Sequence, residues 1–154
     1  MTMKTILLIE DNANILENLG EYLEMEGYKI LLTNSGKKGV ALARKFLPDL
    51  IICDVLMPKM NGHEVLRQLL DTDTTSEIPF IFSTSMAEKK DQLEAFKLGA
   101  DDYIIKPFEL ETLLEVAKKC MKCGSKRHNC TFSRLQISLY RLQLNDTLQR
   151  RTIM

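Results

Sequence analysis

Three acidic residues stand where two apolar runs end. Lys4-Thr5-Ile6-Leu7-Leu8-Ile9 passes directly into Glu10-Asp11, and Leu50-Ile51-Ile52-Cys53 passes into Asp54. Asp54 is followed by Val55-Leu56-Met57-Pro58-Lys59-Met60-Asn61-Gly62. A carboxylate at the carboxyl end of a buried strand, ahead of a turn marked by Pro58 and Gly62, lies at the rim where open α/β sheets place their chemistry. If the two runs are neighbouring strands, the three carboxylates converge. Like charges that close repel unless a proton or a cation is shared, so a hard divalent ion such as Mg²⁺ is expected among them. An exposed aspartate beside such an ion is a nucleophile toward a phosphoryl group, because the ion neutralises charge on both partners and holds an oxygen in line.

An incoming phosphoryl group also needs a hydroxyl and a positive charge to hold its oxygens. Thr84 closes the apolar run Pro79-Phe80-Ile81-Phe82-Ser83, and Lys106 follows Asp102–Ile105 just before Pro107. Parallel strands present their carboxyl ends on one side, so Thr84 and Lys106 reach the same edge as the acids. Lys106 can then pair with the carboxylates before transfer and with the phosphoryl group after it.

The elements that would position these groups alternate along residues 4–121. Strand patterns at residues 4–9, 28–33, 50–54, 79–83 and 102–105 are interleaved with helical patterns at about 12–26, 37–46, 62–70, 89–98 and 109–122. Ile15, Leu16, Leu19 and Leu23 fall at helical spacing, and Gly27 and Gly99 are stop signals. Residues 71–77 read as a polar loop. Five successive βα units predict a parallel sheet covered by helices on both faces.

Length and a 45% hydrophobic content suit one compact domain, residues 1–122, with a basic extension, residues 123–154. The zero net charge hides an asymmetry. Beyond residue 123, six basic side chains oppose Asp146 alone, giving +5 there and −5 for the remainder. Phe132, Leu135, Leu139 and Leu142 fit a helix, whereas Leu135, Ile137 and Leu139 alternate as strands do, so a helix is favoured and a hairpin is the alternative. Some thirty residues are too few for an independent winged-helix domain, which argues against direct DNA binding. No run approaches the roughly 18 apolar residues of a membrane span, and a cytoplasmic location is expected. Cys120, Cys123, His128 and Cys130 have zinc-ligand chemistry, but their spacing fits common zinc sites poorly. His63 reads as a solvated residue at a helix start, and Cys53 as a small buried hydrophobe.

Taken together, Glu10-Asp11, the stretch from Asp54 to Gly62, the stretch from Pro79 to Ser85 and Gly99-Ala100-Asp101-Asp102-Tyr103-Ile104-Ile105-Lys106-Pro107-Phe108 resemble the receiver domain of two-component response regulators. The resemblance covers residues 4 to about 121. It implies a flavodoxin-like (βα)5 fold with strand order 2-1-3-4-5. It also implies Mg²⁺-dependent phosphoryl transfer to Asp54 from a histidine kinase or phosphotransfer protein, the chain assisting its own phosphorylation and dephosphorylation without being an enzyme. By position, Asp11, Asp54 and the backbone carbonyl of Leu56 would ligate the metal, with Glu10 acting through a water. Thr84 and Tyr103 match the switch pair, whose hydroxyl moves toward the phosphoryl group while the ring turns inward. The resemblance makes the Lys106–Pro107 bond cis and points to the Lys89–Leu98 helix and the Tyr103 face as the docking surface for a downstream protein. Val116 stands where DNA-binding members carry an arginine that pairs across a dimer, so that mode of phosphorylation-dependent dimer is not expected. Leu56 and Met86 occupy positions that modulate phosphoryl lifetime, and both are apolar.

Two rival chemistries fit less well. A haloacid-dehalogenase-like phosphatase needs a second acid two residues after its nucleophile, and that position is Leu56. A nucleotide- or flavin-binding module needs backbone amides from a Gly- or Ser/Thr-rich loop after strand one, where this chain places Glu10-Asp11-Asn12.

Overall fold

The computed structural model describes residues 2–124. Five strands, β1 (Thr5–Ile9), β2 (Lys29–Thr33), β3 (Leu50–Cys53), β4 (Phe80–Thr84) and β5 (Asp102–Ile105), form one parallel sheet in the order β2-β1-β3-β4-β5. The helices are α1 (Ala13–Met25), α2 (Gly36–Phe46), α3 (Gly62–Leu70), α4 (Asp73–Ser76), α5 (Lys89–Leu98) and α6 (Leu110–Cys123).

Residue alternation in the central strands divides the core in two. Leu7, Ile9, Ile51, Cys53, Phe80 and Phe82 face one side, against Val40 and Ala43 of α2, Val65, Leu66 and Leu69 of α3, and Ala95 of α5. Ile6, Leu8, Leu50, Ile52, Ile81 and Ile104 face the other, against Leu19 and Leu23 of α1 and Leu113 and Ala117 of α6. All these strand residues are at most 7% exposed. Each such side chain contributes about 2 kcal/mol on burial, against about 1 kcal/mol for a helix cap. The strand pattern therefore fixes the register, and the caps set only where helices begin. Asn12 caps α1 by accepting from the Asn14 and Ile15 amides at 3.0 and 3.1 Å, and Asn61 caps α3 by accepting from Glu64 at 3.0 Å.

Three details depart from the sequence expectations. Residues 71–77 contain a helical turn, α4, anchored by the buried Thr75 hydroxyl donating to the Leu69 carbonyl at 2.6 Å. One turn has no apolar period to reveal it, and local side-chain-to-backbone bonds form it instead. Cys120 and Cys123 fall in a helix whose pattern predicts packing; Cys120 does pack inward, but Cys123, the last residue of α6, is exposed. His63 is not solvated: it is half-buried, its ring edge-on to Phe82 with centroids 5.3 Å apart. Among the described residues no helix is long and apolar enough to cross a membrane. The expectations for His128, Cys130 and the basic extension lie outside the described residues.

Candidate functional site

Register brings the acids together. Ile9 pairs with Cys53, so Glu10 and Asp54 leave adjacent strands side by side, and the Asp54 amide donates to the Ile9 carbonyl at 2.9 Å. One carboxylate oxygen from each of Glu10, Asp11 and Asp54 lies within 4.8 Å of the others. Lys106, at the end of β5, reaches back across β4. Its Nζ lies 2.7 Å from Glu10 Oε2 and 3.2 Å from Asp54 Oδ2. The other Asp54 oxygen, Oδ1, accepts the Leu56 amide at 3.2 Å, and Glu10 Oε1 accepts the Asn12 amide at 3.2 Å.

The expectation of an exposed Asp54 needs correction. Asp54 is 6% exposed and Glu10 is 5%, while Asp11 stands in solvent. The carboxylate is recessed because the Lys106 ammonium and the Leu56 amide each cover one of its oxygens. Leu56 itself is 54% exposed and sits on the rim.

Burial raises the Glu10 pKa, helped by the Asp54 charge and only partly opposed by Lys106. Burial works against the Lys106 ammonium, yet the Glu10 hydrogen bond and the Asp54 charge outweigh it, so its pKa is raised. A carboxyl whose folded pKa exceeds its unfolded value costs stability above the folded pKa, and that cost disappears as pH falls toward the ordinary value of 4.5. In the metal-free protein, acidification from pH 7 toward about 5 should therefore stabilise the wild type relative to Glu10→Gln. Urea midpoints of the two proteins across that range check this. A difference that stays constant with pH would contradict it.

Thr84 is fully buried, and its Oγ1 accepts the Met86 amide at 3.3 Å, so the hydroxyl is engaged in its own loop. Tyr103 is half-buried, its ring 6.3 Å from that of Phe82, and its hydroxyl donates to the Met86 carbonyl at 2.7 Å. Burial, with Asp91 and Asp54 nearby, pushes the phenol up to about 12. The Lys106–Pro107 peptide is cis. Two contributors, Asn61 and Asp101, were not singled out in the sequence. Asn61 and Gly62 close the loop after Asp54, the Gly62 amide donating to the Val55 carbonyl at 2.9 Å, and Asp101 Oδ2 accepts the Phe80 amide at 2.8 Å at the opposite end of β4. An Asn-Gly pair ahead of a helical run was a legible cap signal.

A doubly wound parallel sheet with carboxylates and a lysine gathered at its carboxyl edge defines the class of open α/β domains that carry their polar site at that edge. Within that class, the chain belongs to the response regulator receiver domain family, whose model matches residues 6–118. It is 38% identical over 112 residues to the DNA-binding dual master transcriptional regulator RpaA of Synechocystis, covering 73% of this chain and 46% of RpaA. It is likewise 38% identical over 113 residues to protein PilH of Pseudomonas aeruginosa, covering 73% of this chain and 93% of PilH. The chain thus spans about half the length of the regulator RpaA and nearly all of PilH. Among solved structures it is similar to the chemotaxis response regulator CheY4 of Vibrio cholerae, with a TM-score of 0.73 at 29% identity, covering 77% of this chain and 98% of that one.

Proposed function

We propose that Asp54 accepts a phosphoryl group from the phosphohistidine of a sensor kinase or phosphotransfer protein, and that the transfer resets the surface around Tyr103. The observation that supports this most is the Lys106 ammonium bridging Glu10 and Asp54 across two strands, with Asp11 beside them. Three carboxylates within 4.8 Å of one another form a hard oxygen donor set that suits Mg²⁺. Asp11, Asp54 and the Leu56 carbonyl would hold the ion, with Glu10 acting through a water. Once bound, the ion supplies charge neutralisation for the meeting of two anions.

The protein groups do the rest. An Asp54 oxygen forms the new O–P bond as the donor's P–N bond breaks, the electron pair leaving with the imidazole nitrogen. Lys106 transfers its bond from the carboxylate to a phosphoryl oxygen, and the Thr84 hydroxyl leaves Met86 to supply a second contact. Without that tie the loop carrying Met86 moves, Tyr103 loses its carbonyl partner, and its ring turns inward. A downstream protein then reads α5 and the Tyr103 face. This is self-assisted modification and not turnover of a substrate. The reading places the chain in the cytoplasm, with residues 1–122 as the signalling unit and the basic extension as an assembly element, including a dimer formed on phosphorylation. Val116, half-buried against the α1 side of the core, offers no charge for the arginine-type dimer.

Incubation with acetyl phosphate tests the proposal. A single acid-stable, base-labile phosphoryl adduct should form with Mg²⁺ and be absent in EDTA, and an adduct indifferent to EDTA would refute the metal's role. Apolar Leu56 and Met86 offer no group to position an attacking water, so the adduct should decay slowly. Because Leu56 lies on the exposed rim, Leu56→Asn should leave the fold intact. It should speed decay on the order of tenfold, less than a true general base gives. Equal decay rates would refute this role for Leu56.

A further inference from the structure

Among the described residues, Ser83 Oγ is the one buried side-chain oxygen or nitrogen without a hydrogen-bond partner, and Ser83 is 2% exposed. Interiors rarely leave a hydroxyl unpaired, because it has given up its bonds to water for nothing in return. Its position gives the orphan a setting. Cys53 pairs with Phe82 and with Ile9, so Ser83, Asp54 and Glu10 form one row across β4, β3 and β1. Beneath that row, closed by Leu16 and Leu19 of α1, lies a cavity of about 10 Å³ lined by all three residues. That volume is about what one water molecule requires, and the lining supplies polar partners on three strands.

The carboxylates retain capacity for it. Each Glu10 and Asp54 oxygen accepts one bond, from Lys106, Asn12 or Leu56. An ionised carboxylate oxygen has two acceptor sites, so one remains open at each. A water held by Ser83 in the cavity that these carboxylates line can donate to one of the open sites.

We propose that Ser83 is a positioning residue: its hydroxyl anchors one buried water beneath the acid row, and that water braces the Glu10–Asp54 pair in the geometry that receives the divalent ion. This rests on the metal reading of the site given above. Such a bracing group acts through the ligands and touches neither ion nor phosphoryl group, and groups of this kind tune metal affinity by about 10- to 100-fold.

Two measurements on the full chain test it. A crystal structure at water-resolving resolution should show one ordered water within hydrogen-bond distance of Ser83 Oγ and of a Glu10 or Asp54 oxygen. Ser83 Oγ turned to a backbone carbonyl, with no water in the cavity, overturns the proposal. Titration calorimetry with Mg²⁺ should find Ser83→Ala, which removes the anchor, and Ser83→Val, which fills the space, both binding on the order of tenfold more weakly than wild type. Thermal midpoints serve as the control. A merely structural serine would change the midpoint and leave the Mg²⁺ affinity alone, and affinity equal in all three proteins overturns the proposal. If the wild type itself binds no Mg²⁺, the metal reading fails, and the crystallographic water still decides whether Ser83 anchors one.

Discussion

Lys106→Met is expected to cost the metal-free protein about 3 kcal/mol of stability at pH 7, because it strips the shared cation from two carboxylates that are each no more than 6% exposed. The size follows from what remains. Removing one member of a buried ion pair leaves the other charge desolvated and unpaired, and here two are left, repelling each other. The pH dependence has a definite sign. The Lys106 pKa is raised, so its contribution is fully present below the unfolded value of 10.5 and is lost as pH rises through the folded one. In the variant, Glu10 loses the ammonium that opposes the effect of its burial and holds its proton more tightly, so the deficit shrinks as pH falls. A divalent ion should restore part of the loss, since it replaces the missing positive charge. Urea unfolding with and without Mg²⁺ checks both statements. Phosphorylation should slow by on the order of a hundredfold, as when one preorganised electrostatic contact is removed. An unchanged midpoint without metal would mean that the ammonium does not neutralise the pair in solution.

Gly62→Ala should destabilise by about 2 kcal/mol, as for other overpacked interiors, and impair phosphorylation as well. A Cβ at Gly62 would run into the Asp54 carbonyl oxygen and come within 2.9 Å of the Phe82 ring. The obstacle is backbone, so relief requires moving either the start of α3 or the strand end that carries Asp54. The intervening loop has little slack: Gly62 bonds Val55, and Lys59 already has a φ of 67°. Gly27 provides the contrast, since at φ 97° with nothing within 4 Å of a Cβ, Gly27→Ala adds only backbone strain of about 1 kcal/mol. Its phosphorylation should match wild type. Equal phosphorylation in Gly62→Ala and Gly27→Ala would separate the loop from the site.

The sequence shows the sheet and the acid cluster clearly, for a physical reason. Buried parallel strands are nearly continuous apolar runs, so residues 50–53 announce themselves, and the acid that ends such a run has one place to be. Glu10 and Asp54 meet because their strands are neighbours, an arrangement that the receiver resemblance implied and the β1–β3 register realises. Exposure could not be read the same way. Asp54 is recessed by Lys106, 52 residues away, and by an amide two residues on, neither of which leaves a mark in local hydropathy. Thr84 and Tyr103 were placed on the correct elements, but their shared partner, Met86, is a loop backbone group without any side-chain signal. Ser83 was read only as a strand residue. Its unpaired hydroxyl is visible only once the row beside Asp54 is built.

The central claim is that Asp54 is the phosphoacceptor of a pocket assembled from β1, β3 and β5. Mass-spectrometric mapping of the protein treated with acetyl phosphate and Mg²⁺ tests it most directly. One phosphoryl group is expected on the peptide containing Asp54, absent from Asp54→Ala while the variant keeps its fold. A phosphoryl group on another residue, or the same adduct in Asp54→Ala, would contradict it.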